Sequence, residues 1–300
     1  MDQAQKLRAK VNQNKLSALI DDIKNVKDIA EIYNNLISQN QTNSKVFCFI
    51  SAKGGTGKTL IAYAFADILT KSNKRTAIID MNKKYSDICS YFQDPELIKV
   101  DKASLLENSC FNASSSLIPG KQCVFQISNE IRGVEYQLIK IVMYQARLSN
   151  FDYIIIDGPV CSPDFLENIS DIADEIWCVS NGDFNSIRNS INLLSQFDSV
   201  LNKKFLFNVV FNEFSGDCSK HFQMNFLNEI SAKNNLEIKN QLIIEFDKKI
   251  KEINGLPRDI SSTQFYKTIE EYLRKIYQQT VSQSASKTVF NKIWDKFKTK

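Results

Sequence analysis

The run Val46-Phe47-Cys48-Phe49-Ile50 leads directly into Ser51-Ala52-Lys53-Gly54-Gly55-Thr56-Gly57-Lys58-Thr59. Five consecutive apolar residues predict a strand covered on both faces. Three glycines in the next turn let successive backbone N–H groups point inward, forming a concavity that suits an anion. The spacing beyond the turn predicts a helix over 58–71, whose positive end faces the same point. Strand, glycine turn and helix in this order demand an α/β domain with the turn at the carboxyl end of a strand.

The chemistry of the turn is that of a phosphate-binding loop. Lys58 brings a point charge to terminal phosphates, and the Thr59 hydroxyl is placed to ligate Mg²⁺. Leu60, next on the helix, is counted with Gly54, Gly55, Thr56, Gly57, Lys58 and Thr59 as nucleotide-binding. The ordinary pattern G-x-x-x-x-G-K-[ST] is not met literally, because residue 52 is Ala, and an additional lysine, Lys53, stands at the front.

Strand candidates recur at 46–51, 76–80, 153–157, 175–180, 205–211 and 241–246. Helices are predicted at roughly 58–71, 130–148, 184–198, 219–235 and 263–278. Their alternation predicts a mostly parallel, doubly wound sheet with helices on both faces and ligands at the carboxyl strand ends. The segment 81–128 has no strand pattern that can be traced. Two predicted strands end in a carboxylate: Asp157 closes Tyr153-Ile154-Ile155-Ile156, and Asp80 closes Thr76-Ala77-Ile78-Ile79. An apolar strand ending in Asp is the Walker B arrangement, so Asp157 joins Thr59 as a metal ligand.

Three segments separate by composition. Residues 1–44 are polar but carry Leu16, Leu19, Ile20, Ile23, Val26 and Ile29 at helical spacing. Residues 45–278 hold the strand–helix alternation. Residues 279–286 are a polar tether, and residues 287–300 form a short amphipathic stretch. The chain has 38 basic and 34 acidic residues; the last fourteen hold five lysines and one aspartate, so the preceding 286 are balanced. Phe290, Ile293, Trp294 and Phe297 fall on one helical face flanked by lysines, the pattern of a helix lying in a membrane surface. No apolar run approaches the roughly 18 residues of a span, and the polar start shows no signal peptide. Seven cysteines without a C-x-x-C pair read as reduced core residues of a cytosolic protein. One histidine, His221, excludes a site needing two.

With Lys53 at its front, K-G-G-T-G-K-T resembles the deviant phosphate loop of the MinD/ParA family of dimerising ATPases. The resemblance spans about 45 to 278 and implies ATP and Mg²⁺ as cofactors, a homodimer on ATP binding, and Lys53 reaching the partner subunit's nucleotide. It makes Asp80 and Asp157 nucleotide-site residues. It places Asn212, after Phe205–Phe211, as an adenine reader, and Asp247, followed by Gly255-Leu256-Pro257, beside the base. The family's second acidic strand usually ends Asp-x-Asp; an ungapped match puts Asn82 at the catalytic position, where no carboxylate is present to hold a water. A gap would bring Asp87 there instead. The resemblance thus implies ATP hydrolysis, slow on account of Asn82.

The start, Asp2-Gln3-Ala4-Gln5-Lys6-Leu7-Arg8, is similar to the element with which the FlhG branch of the family stimulates the SRP-type GTPase FlhF. Gln3, Leu7 and Arg8 are then partner-binding. That branch sets flagellar number and placement. The resemblance implies a cytoplasmic protein reversibly peripheral on the inner face of the cell membrane, held by anionic lipids, with basal-body or transcription-factor proteins as further partners. Nucleic acid is not expected, given the balanced charge. A ParA-type DNA-segregation ATPase and a non-hydrolysing ATP-dependent dimer switch stand as alternatives.

Overall fold

The structure, a computed structural model, describes residues 44–81, 88, 91, 96–100, 122–127, 142, 146–147, 151–170, 172–195, 206–214, 225–226, 228, 238–252 and 260–278. The N-terminal segment up to residue 43 and the tail from 279 lie outside the described residues, so the expectations placed on them are not addressed by it.

Among the described residues, eight strands form one sheet: β1 (Lys45–Ser51), β2 (Thr76–Asp80), β3 (Glu96–Val100), β4 (Gln122–Ile127), β5 (Tyr153–Val160), β6 (Glu175–Asn181), β7 (Leu206–Phe214) and β8 (Ile238–Glu245). Their order is β3-β4-β2-β5-β1-β6-β7-β8. Every pairing is parallel. The helices are α1 (Lys58–Lys71), α2 (Pro163–Ser170), α3 (Phe184–Ser195), α4 (Lys248–Glu252) and α5 (Gln264–Leu273), the last continuing as a π-helical turn, Arg274–Gln278. The doubly wound parallel sheet expected from the sequence is the fold found.

β1 lies between β5 and β6, at the point where the chain changes its direction of winding. That central place requires apolar side chains on both faces, and Val46 through Ile50 are all fully buried. Phe49 stacks on Trp177 of β6, and both meet Phe65 of α1 edge-on. β8 closes one end of the sheet. Its Leu242 and Ile244 are buried while Gln241 and Ile243 are exposed, the alternation of a strand with one covered face.

α1 is buried from Ile61 to Thr70 without interruption. This includes Asp67, whose carboxylate accepts from Tyr266 Oη of α5 at 2.7 Å and pairs with Lys71 at 2.7 Å. α5 packs over α1 through this contact and begins with Thr263 accepting from the Tyr266 N–H.

Two expectations are corrected. The strand expected to end at Asp157 runs on to Val160, and its register with β1 shifts between Phe49 and Ser51, which accommodates Pro159 in the ladder. The segment without traceable strands contains β3 and β4. β3 carries Glu96 and Lys99 at the sheet edge, so it lacks the apolar run that marks the central strands. Of the helices predicted at 130–148 and 219–235, only isolated positions are described; Val142, Ala146, Arg147, Asn225, Phe226 and Asn228 are all helical.

Candidate nucleotide site

The loop joining β1 to α1 depends on glycine at two points. Gly55 and Gly57 have φ of 76° and 81°, the left-handed region. A Cβ on Gly57 would also fall 2.4 Å from Nδ2 of Asn212. Above Gly54 and Gly55 a Cβ would meet nothing within 4 Å, so the cradle is open where an anion would approach. Gly57 O accepts from Ile61 N at 3.0 Å, the first turn of α1, which points its amino end at the cradle.

Two functional side chains from α1 converge on one carboxylate from β5. Lys58 Nζ lies 2.5 Å from Oδ1 of Asp157, and Thr59 Oγ1 donates to Oδ2 at 2.8 Å. Asp157 is fully buried and Lys58 nearly so. Asp80, also fully buried, is the register partner of Asp157 across β2 and β5. Two carboxylates on neighbouring strands therefore stand side by side, Asp80 at the end of β2 and Asp157 within β5. Leu60 follows on the half-exposed side of α1.

Lys53 lies on the outer side of the loop. It is half exposed, with Nζ 3.9 Å from Oδ1 of Asp183. The same oxygen accepts from Ser186 N at 2.9 Å and so caps α3. Asp183 was not legible in the sequence, where its only signal is an acid before a predicted helix, which is an ordinary cap. Val160 and Phe184 are large apolar residues exposed at the same carboxyl end of the sheet.

Asn212, near the end of β7, is buried, and its Nδ2 donates to Thr56 O at 2.8 Å. The residue expected to read a base is thus set directly on the phosphate loop. Asp247 accepts from Lys249 N at 3.0 Å and Phe265 N at 3.1 Å, fixing the turn after β8 and the start of α5. Asn82, Gln3, Leu7, Arg8, Phe290, Ile293, Trp294 and Phe297 lie outside the described residues. Cys48, Cys123 and Cys178 are buried free thiols and Cys161 is half-buried. Burial pushes the Cys178 thiol up to about 12 and those of Cys48 and Cys161 further, which keeps them protonated.

The donor set fits a phosphate-bound Mg²⁺. Among the described residues no group of three or more His, Cys, Asp or Glu is placed to hold a metal alone. Thr59 and Asp157 offer two oxygens, and Mg²⁺ ordinarily draws its remaining ligands from phosphate and water. A bound Mg²⁺ would offset phosphate charge. Lys58 would then turn from Asp157 toward the phosphates, and the bare backbone of Gly54 and Gly55 would donate to them.

Residues 47–256 match the family of the CobQ/CobB/MinD/ParA nucleotide-binding domain. The chain belongs to this family. Solved structures of similar fold include a ParA family ATPase from Chlorobium tepidum TLS, 20% identical with a TM-score of 0.58, over 77% of this chain and 98% of that one. MinD in the MinC:MinD cell division complex of Aquifex aeolicus is 18% identical with a TM-score of 0.55, over 77% and 96%. The septum site-determining protein MinD of Pyrococcus horikoshii OT3, complexed with Mg-ADP, is 14% identical with a TM-score of 0.54, over 78% and 97%. At these identities the likeness shows the fold, that of the MinD/ParA P-loop ATPases. No curated protein matches the chain significantly in sequence. Among the described residues no helix is long and apolar enough to cross a membrane.

Proposed function

We propose that this MinD/ParA-family chain is an ATPase of the FlhG type, which binds ATP and Mg²⁺ at the phosphate loop and closes as a homodimer. The observation that carries the reading is the convergence of Lys58 and Thr59 on Asp157 beneath an open glycine cradle, with Lys53 half exposed outside it. In the dimer Lys53 leaves Asp183 and contacts the partner subunit's phosphates. An exposed pair 3.9 Å apart contributes only about 0–1 kcal/mol, so it yields readily to a phosphate. Asn212, held by the Thr56 carbonyl, reads adenine, and Asp247 shapes the loop beside the base. Hydrolysis is slow because Asn82 lacks a carboxylate.

The organisation is that of an N-terminal extension (1–44), an ATPase domain (45–278) and a tether with a membrane-binding helix (279–300). Two tails on one dimer raise each other's effective concentration at an anionic surface, so membrane residence follows the nucleotide. The first eight residues stimulate an FlhF-like GTPase, and the output is the number and placement of flagella. The test is sedimentation of full-length protein and a 1–286 truncation with anionic liposomes, with ATP or ADP. ATP-dependent pelleting of the full chain alone supports the reading; equal pelleting of both proteins overturns the membrane role.

A second reading, a ParA-type ATPase acting on DNA, draws support from similar folds such as the plasmid partition protein of Borrelia burgdorferi B31, 18% identical over 78% of this chain. It requires ATP-dependent DNA binding that falls steeply with salt. DNA sedimentation beside the liposome assay separates the two readings.

A further inference from the structure

Among the described residues two non-glycine residues have positive φ, Asn73 at 62° and Glu213 at 56°. Asn73 follows the end of α1, where an asparagine in this conformation is ordinary. Glutamate has no such excuse, and strain of this kind persists where the surroundings impose it, often at binding sites. At Glu213 it coincides with a bulge. From Phe211 to Phe214 β7 advances three residues, while its partners on β8, Ile243 and Glu245, are two apart.

The bulge decides which way the carboxylate points. Val179 and Val210 lie in one core cluster with the buried residues of α1, so Asn181 and Asn212, two residues further along each strand, face that same side. They are register partners across β6 and β7. Regular alternation would send the next side chain, Glu213, to the opposite face. Instead its Oε2 accepts from Asn181 Nδ2 at 3.5 Å, on the side where Asn212 donates to Thr56 O of the phosphate loop. Asn181 Oδ1 is buried and has no hydrogen-bond partner among the described residues, so a donor is missing beside this carboxylate.

Position relative to the cradle selects the ligand group. A nucleotide with its phosphates on the loop after β1 runs along the carboxyl ends of the strands in one of two directions. Toward β5 and β2 stand the buried carboxylates Asp157 and Asp80, the side suited to the metal. Toward β6 and β7, about 5 and 10 Å from β1, stand Asn181, Asn212 and Glu213. On the proposed reading Asn212 takes the base. Glu213 is the next residue, aimed back toward β6, and is therefore placed for the sugar that joins base to phosphates. A carboxylate there repels phosphate and offers nothing to the acceptor atoms of a base, but it accepts strongly from hydroxyl groups.

We propose that Glu213, re-aimed by the bulge and oriented by Asn181, accepts hydrogen bonds from the ribose hydroxyls of the bound nucleotide and so selects ribonucleotides over deoxyribonucleotides. The proposal rests on the reading of the loop as an ATP site and adds a sugar contact to it. Glu213 is the specificity residue, and Asn181 is a positioning residue that acts through it.

The test is calorimetric titration of the full chain with ATP, 2′-deoxyATP and 3′-deoxyATP, each with Mg²⁺. The wild type should bind ATP about tenfold or more tightly than at least one of the two deoxynucleotides, as expected for a hydrogen bond to a charged group. Glu213→Gly removes the carboxylate but keeps the backbone, since a φ of 56° suits glycine, so its melting temperature should not fall. Its preference for ATP should shrink to within about twofold, through loss of ATP affinity with the weaker deoxynucleotide unaffected. Equal affinity of the wild type for all three ligands, or undiminished preference in Glu213→Gly, overturns the ribose contact and leaves the ATP site standing. A lower melting temperature with all three ligands weakened alike marks a structural role and overturns it as well. A wild type that binds none of the three removes the ATP site, and the sugar contact with it.

Discussion

Lys58 Nζ and Asp157 Oδ1 lie 2.5 Å apart, with the lysine nearly buried and the aspartate fully so. Removing one member of a buried ion pair strands the other, at about 3–5 kcal/mol, whereas removing both costs much less. Lys58→Met should therefore lower the urea midpoint markedly. Lys58→Met/Asp157→Asn should recover part of the loss, and neither should bind ATP. A double variant no more stable than Lys58→Met would mean that the pair is not formed in solution.

Gly57 and Asn212 constrain each other. A Cβ at Gly57 meets Asn212 Nδ2 at 2.4 Å and must also adopt a φ of 81°. Gly57→Ala should abolish nucleotide binding. Asn212→Ala removes the donor to the buried Thr56 segment and should cost about 1–3 kcal/mol. The double variant should be more stable than Gly57→Ala alone, because the clash is relieved while the backbone strain of about 1–2 kcal/mol remains. Thermal unfolding of the three proteins decides the point.

Thr59 and Asp157 together offer only two oxygens to a metal. Chelation of Mg²⁺ should weaken ATP binding by at least about tenfold in the wild type. Thr59→Ala should show a much smaller Mg²⁺ dependence, since one ligand is gone before chelation begins. Calorimetric titration of ATP with and without Mg²⁺ measures both effects. Equal Mg²⁺ dependence in the two proteins would place the metal elsewhere.

An ungapped match to the family puts Asn82 where a catalytic aspartate is expected. Asn82→Asp should raise the steady-state rate of phosphate release about a hundredfold or more, the range in which a positioned acid–base group acts. A wild type that already turns over at an ordinary rate, unaffected by the substitution, would show that the alignment at this position is wrong and that another group, such as Asp87, serves.

The central strands and the loop were legible because their constraints are local. A strand covered on both faces needs an unbroken apolar run, as in Val46–Ile50 and Tyr153–Ile156, and a cradle for an anion needs glycines at fixed positions. β3 and β4 were not legible: Glu96 and Lys99 interrupt β3, and Gln122 and Gln126 flank the apolar centre of β4. The strand end beyond Asp157 was hidden because Gly158 and Pro159 read as a turn, although Gly158 is needed there since a Cβ would meet Phe49 O at 2.7 Å. The contact of Asp183 with Lys53 joins residues more than a hundred positions apart. Only the fold brings them together.

The most direct measurement of the central claim, that Lys53 makes this phosphate loop a dimer switch, is the mass in solution by light scattering with Mg²⁺ and either ATP or ADP. The wild type should pass from a 34.3 kDa monomer with ADP to twice that mass with ATP. Lys53→Ala should bind ATP within a few-fold of wild type yet remain monomeric. A mass that ignores the nucleotide, or a Lys53→Ala protein that dimerises as the wild type does, would contradict the account.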